Sequence, residues 1–174
     1  GESQAAASLK PNKHQLNSTF PLFLDIPNQL IEGFSNVALS IKREDLIHPF
    51  VSGNKYRKLK YNLNQAITEN QQKLLTFGGA FSNHIAAVAA AGKMNQLQTI
   101  GIIRGDELAN AIADNPTLRF AQECGMQFDF ITREQYRNKT EASFLAELQQ
   151  KWGLFYMIPE GGTNALAVKG CEEI

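Results

Sequence analysis

Short apolar runs alternate with segments of helical period from residue 37 onward, and this alternation restricts the fold more than any other feature. Val37 to Ile41 predicts a strand, followed by a charged, turn-rich stretch from Lys42 to Gly53. Residues 54–69 predict a helix with Leu59, Leu63, Ala66 and Ile67 on one face. Leu74 to Phe77 predicts a strand ending at Gly78-Gly79, Asn83 to Met94 an alanine-rich helix, and Thr99 to Ile103 the next strand. Asn115-Pro116 offers an N-cap and a first-turn proline for a helix that Gly125 ends. Phe128 to Ile131 is a further strand, Phe144, Leu148 and Trp152 mark a helix face at intervals of four, and Leu154 to Ile158 closes the series as a fifth strand. Strand and helix alternating at this spacing argue for an α/β fold of βαβ units, a parallel sheet with helices on both faces. Residues 1–19 are polar and read as a flexible lead-in.

Ligands of such sheets bind at the carboxyl ends of strands, where loops enter helices. That rule selects residues 44–54, 78–84 and 159–164. The first loop runs through Val51-Ser52-Gly53-Asn54-Lys55-Tyr56-Arg57-Lys58 and puts Lys55 in the first turn of a helix. Unpaired N–H groups and the positive end of the helix dipole disfavour an ammonium there, and a neutral amine can attack an aldehyde. On spacing alone the commoner outcome is a solvated lysine in a basic cluster with Arg57, Lys58 and Lys60. The second loop, Gly78-Gly79-Ala80-Phe81-Ser82-Asn83-His84, runs from a strand into a helix start. It reads equally as an anion site of backbone amides, with Ser82 and Asn83 adding polar groups, or as a plain capped helix. It lacks the lysine and the spacing of a Walker A loop. The third loop, Ile158-Pro159-Glu160-Gly161-Gly162-Thr163-Asn164, reads first as a tight connection with Thr163 as a helix cap.

Composition excludes several function classes. Lysine plus arginine and aspartate plus glutamate each total 17, so no basic surplus points to nucleic acid. The longest apolar run, Ile85 to Ala91, is too short to span a bilayer, and no secretory signal is apparent. Cys124 and Cys171 make no disulfide framework, so a reducing cytoplasm is the default reading. No set of side chains has metal-ligand spacing. Gly1 in place of methionine suggests a trimmed start, and the helical pattern from Asn164 to Ile174 stops without a terminating signal, so the chain is expected to be truncated.

The three loops together resemble the 1-aminocyclopropane-1-carboxylate deaminase and D-cysteine desulfhydrase family of pyridoxal-phosphate enzymes. Lys42-Arg43-Glu44-Asp45 followed by Ser52-Gly53-Asn54-Lys55-Tyr56-Arg57-Lys58-Leu59 resembles the family's cofactor-lysine motif. Gly78 to His84 resembles its substrate-carboxylate loop, and Ile158 to Asn164 a third family segment. They occur in the family's order, and the resemblance covers roughly residues 20–174.

The resemblance implies the tryptophan-synthase-β-like arrangement, fold type II. Residues 20–53 would start a large domain, 54–159 form a small α/β domain, and 160–174 begin the return to the large domain, the rest being absent. Lys55 would form the imine with pyridoxal 5'-phosphate, with Asn54 beside it, and Asn83 would hydrogen-bond the cofactor's phenolic oxygen. Ser82, with Asn83 and His84 nearby, would hold the carboxylate of a small amino-acid substrate. Lys55 and Ser82 are the catalytic candidates, and a homodimer is implied. The deaminases that open the cyclopropane ring resemble Ser-Asn-Gln where this chain has Ser82-Asn83-His84, which tilts the expectation toward D-cysteine, giving pyruvate, sulfide and ammonia. The family's phosphate cup and catalytic tyrosines belong to a later segment, so this chain alone is expected to bind cofactor weakly. The competing readings are a non-catalytic α/β fragment, a general anion- or nucleotide-binding domain, and another β-eliminating enzyme such as a serine dehydratase.

Overall fold

Leu74, Leu75, Thr76 and Phe77 are all buried, as a strand covered on both faces requires. In the computed structural model, which describes residues 25–31 and 37–173, these four residues lie on an inner strand of a parallel sheet. The described residues begin instead with an antiparallel pair of strands, β1 (Asn28–Ile31) and β2 (Leu39–Lys42). There follow α1 (Gly53–Thr68), β3 (Lys73–Gly79), α2 (Asn83–Met94), β4 (Gln98–Arg104), α3 (Pro116–Glu123) and β5 (Gln127–Ile131). The remaining elements are α4 (Arg133–Arg137), α5 (Ala142–Trp152), β6 (Tyr156–Ile158) and α6 (Ala165–Cys171).

The parallel sheet has four strands in the order β5-β4-β3-β6. Leu75 stands beside Ile100 and Phe77 beside Ile102, so one face collects the residues that pack with Leu148 and Tyr136 of α5 and α4. Leu74, Ile103 and Ile158 belong to the opposite core, which α1, α2 and α3 cover with Leu59, Leu63, Ile85, Val88 and Leu118. The period of two in each strand thus sorts alternate residues onto two helical layers. Among the described residues no helix is long and apolar enough to cross a membrane.

The expected α/β sheet with helices on both faces is present, with two local corrections. The strand read at Val37 to Ile41 does not join the parallel sheet; it starts at Leu39 and pairs antiparallel with β1. Its pattern of exposed residues explains why: a parallel strand would need burial on both faces, and Leu39 and Ile41 stay 42% and 48% exposed. The cap of the last helix is Asn164 rather than Thr163: the Asn164 side chain accepts the Ala167 amide at 2.9 Å. That helix runs Ala165–Cys171. Residues 1–19, read as a lead-in, lie outside the described residues.

Two close contacts set where α1 stands. A Cβ on Gly170 of α6 would lie 1.9 Å from the Arg57 carbonyl oxygen, so only glycine lets α6 approach α1 this closely. Arg57, 5% exposed, donates to Glu44 at 2.8 Å, which ties the segment before α1 to its first turns. Glu173 receives Lys60 and Tyr61 from the same helix.

Candidate functional site

The sheet order places the chain reversal at β3: β4 and β5 extend to one side, and the chain then returns to β6 on the other. Open α/β sheets bind ligands at such a switch point, outside the carboxyl ends of the strands. The loops after β3 and β6 and the start of α1 come together at this end.

Lys55 is the third residue of α1, after a turn in which Gly53 holds φ +55°. It lines a cleft of about 350 Å³ with Asn54, Ser52 and Asn83. The same cleft is lined by the apolar side chains of Pro49, Phe50, Ala86 and Phe120. The structure therefore brings Lys55, Asn54 and Asn83 to one cavity, whereas Ser82 and His84 do not line it.

The basic cluster that the sequence suggested separates into different jobs. Arg57 is held by Glu44 and Glu173, and Lys60 by Glu173. Lys58 donates to Thr163 Oγ1 at 2.9 Å and reaches the Gly161 carbonyl at 3.4 Å. No hydrogen bond or ion pair joins the Lys55 ammonium to another described residue. Partial burial lowers its pKa from the ordinary lysine value, and the Lys58 charge pushes in the same direction. A lysine without a carboxylate partner, in a partly dry cleft, is the one of this group suited to act as an amine.

The second loop starts α2. Ser82 is its N-cap, with Oγ accepting the Ile85 amide at a long 3.4 Å, so the hydroxyl hydrogen stays free for another acceptor. The glycine turn and the alanine-rich helix pack tightly here: a Cβ on Gly78 would lie 2.5 Å from Ile85 Cγ1.

His84 is 2% exposed, and its environment fixes its proton. Thr76 Oγ1 donates its single hydrogen to the Ile158 carbonyl at 2.8 Å. The 2.8 Å contact between Thr76 Oγ1 and His84 Nε2 must therefore be donated by the histidine. Nδ1 is left as a bare, buried acceptor with no partner among the described residues. Burial, reinforced by Lys55 and Lys58, pushes this imidazole down to about 4, although Glu160 pulls the other way.

The third loop does not line the cleft but backs it. Gly162 holds φ +72°, which favours glycine, and a Cβ there would crowd His84 Cε1 at 3.1 Å. Behind it, fully buried Asn62 of α1 donates to Asn164 Oδ1 at 3.1 Å and accepts from Asn164 Nδ2 at 2.7 Å and Tyr156 Oη at 3.2 Å. Sequence reasoning did not single out Thr76, Asn62, Phe50 or Phe120. Thr76 had a signal, a lone polar residue inside an apolar strand; Phe120 had none, because it reads as core beside Leu118 and Ala121.

No protein-family model matches the chain. It is 30% identical over 175 residues to a bifunctional D-cysteine desulfhydrase/1-aminocyclopropane-1-carboxylate deaminase of Arabidopsis thaliana, covering 95% of this chain and 43% of that protein. A D-cysteine desulfhydrase of Yersinia pestis is 27% identical over 135 residues, covering 75% of this chain and 40% of that protein. Among solved structures, an ACC deaminase homologue superposes with a TM-score of 0.67 at 26% identity, over 87% of this chain and 46% of that one. The chain thus spans less than half the length of these relatives.

Proposed function

We propose that this chain, which belongs to the 1-aminocyclopropane-1-carboxylate deaminase and D-cysteine desulfhydrase family, supplies the lysine and one wall of the active site of a pyridoxal-phosphate lyase or deaminase acting on a small amino acid. The observation that carries this reading is Lys55, which lines a cleft and is, among the described residues, the one lysine of its cluster without a hydrogen bond or ion pair. The residues fit an aldehyde cofactor: an amine of lowered pKa stands beside the amides of Asn54 and Asn83, and no carboxylate lines the cleft to hold the amine as an ammonium.

Pyridoxal phosphate, when bound, supplies an electron sink for charge developing next to the substrate's amino group. Lys55 Nζ would carry the cofactor and would hold or move protons at the substrate. Asn83 and Asn54, which line the same cleft, would orient the cofactor ring. Ser82, outside the cleft lining but with a free hydroxyl hydrogen, would hold the substrate carboxylate together with the amides that begin α2. His84, being buried, serves that loop from behind: its bond to Thr76 and its contact with Gly162 fix α2 against β3 and the third loop. The expectation that His84 itself selects D-cysteine loses its direct route, because its ring does not reach the cleft. In this reading residues 54–159 are the small α/β domain, with 20–53 and 160–174 belonging to a larger domain of a homodimeric protein.

The test is a product assay on the full-length protein loaded with pyridoxal phosphate. The expected result is release of ammonia from D-cysteine, with pyruvate and sulfide, or from 1-aminocyclopropane-1-carboxylate. Absence of turnover with both, in a protein shown to hold the cofactor, overturns the reading and favours a non-catalytic α/β unit.

A further inference from the structure

We propose that Phe50 and Phe120 form an aromatic gate lining the cleft that holds Lys55, and that they restrict it to ligands with compact side chains. The inference rests on the reading of Lys55 as the reactive amine and deepens it by naming residues that set substrate size.

The two rings come from separate parts of the chain. Phe50 belongs to the strap between β2 and α1, and Phe120 to α3, yet their centroids are 4.5 Å apart at an interplanar angle of 30°. Both line the Lys55 cleft. Phe50 is 55% exposed, so its ring is not buried in the core. A large apolar ring left this open in water is held by the Phe120 ring against it, and such aromatic pairs add to plain area burial.

The strap is built to present that ring. Val51, the next residue, is fully buried and anchors the turn. The backbone amides of Phe50 and Val51 both donate to His48 Nδ1, each at 3.2 Å. His48 therefore acts as a positioning residue: it satisfies two loop amides and fixes the direction in which Phe50 leaves the chain. Two residues after the strap's last buried anchor, the chain turns through Gly53 into α1 and Lys55. With the ring centroids 4.5 Å apart, the cleft that the pair lines together with Lys55 is about 350 Å³, room for an aldehyde ring and a short side chain.

The test uses the full-length protein freed of any bound aldehyde with hydroxylamine, two aldehydes of different bulk, acetaldehyde and benzaldehyde, and cyanoborohydride to fix the adducts, with peptide mapping of Lys55. In Phe50→Ala and in Phe120→Ala, the ratio of benzaldehyde to acetaldehyde labelling at Lys55 is expected to rise about tenfold, the upper end of what one aromatic contact contributes. His48→Ala shifts the ratio in the same direction, and Phe50→Tyr, which keeps the ring, retains the parental ratio. Phe50→Ala guards against misfolding in Phe120→Ala, because the Phe50 ring is half exposed. An unchanged ratio in both alanine variants, with normal acetaldehyde labelling of Lys55, overturns the gate and leaves the lysine assignment standing. Lys55 unlabelled by acetaldehyde in the parent protein overturns the reading of Lys55, and the gate falls with it.

Discussion

Under the proposed function, replacing Lys55 with alanine is expected to lower turnover of the full-length protein by at least about 10²–10⁴-fold, the range associated with a positioned proton-transfer group. The fold should not suffer. Lys55 makes no hydrogen bond or ion pair with another described residue, and burial already disfavours its charge, so its removal relieves a partly desolvated ammonium. The change in unfolding free energy should stay within about 0.5 kcal/mol, as for substitutions that break no buried partnership. Lys60→Ala supplies the contrast, since Lys60 is 2% exposed and paired with Glu173, so it should lose stability before it loses chemistry. A Lys55→Ala enzyme with turnover within a factor of a few of the parent would remove this residue from the reaction.

Acid is expected to cost the fold on the order of 3 kcal/mol through His84 alone, from a lowering of its pKa from 6.5 to about 4. The sign follows from which state binds the proton first. Above the unfolded pKa of 6.5 both states hold a neutral imidazole, and the contribution of the Thr76 bond is fully present. As pH falls from 6.5 toward 4, the unfolded chain takes a proton while the folded one resists, so stability is lost across that window. The resistance has identifiable sources: the ring is buried, Lys55 and Lys58 repel a second positive charge, and Glu160 offsets them only in part. Urea unfolding at several pH values checks this, with His84→Gln as the reference that subtracts the carboxylates titrating nearby. A parent and a His84→Gln protein with the same slope between pH 6.5 and 4 would show that the imidazole does not drive the loss.

Most of the sheet was legible because its strands are buried on both faces and its helices on one. Leu74 to Phe77 was located as a short apolar run ending in glycines, and Asn83 to Met94 as an alanine-rich helix. The β1–β2 pair was not legible: Asn28–Ile31 is four residues long, mostly exposed, and carries no alternation that would announce a strand. Without knowing that partner, Val37 to Ile41 reads as the first strand of the main sheet. The short helix α4 did carry a signal that went unread, since Thr132 and Gln135 form a capping box. At the end of the chain, Asn164 rather than Thr163 caps α6 because Asn62, far away in sequence, holds the Asn164 side chain in place.

The site was legible in a different way. No local rule separated Lys55 from Lys58 and Lys60, and only the resemblance of three loops to one family singled it out. The fold then supplies the physical distinction, because Glu173 and Thr163 engage the other two. The role of His84 could not be read at all, since its burial depends on Thr76 facing the same side of β3 and on Gly162 arriving from the third loop.

The most direct test of the central claim is a map of the modified lysine. Full-length protein treated with pyridoxal phosphate, reduced with borohydride and digested should carry the label at Lys55, with Lys58 and Lys60 unmodified. Label at Lys58 or Lys60 with Lys55 clean would contradict the assignment on which the proposed function rests.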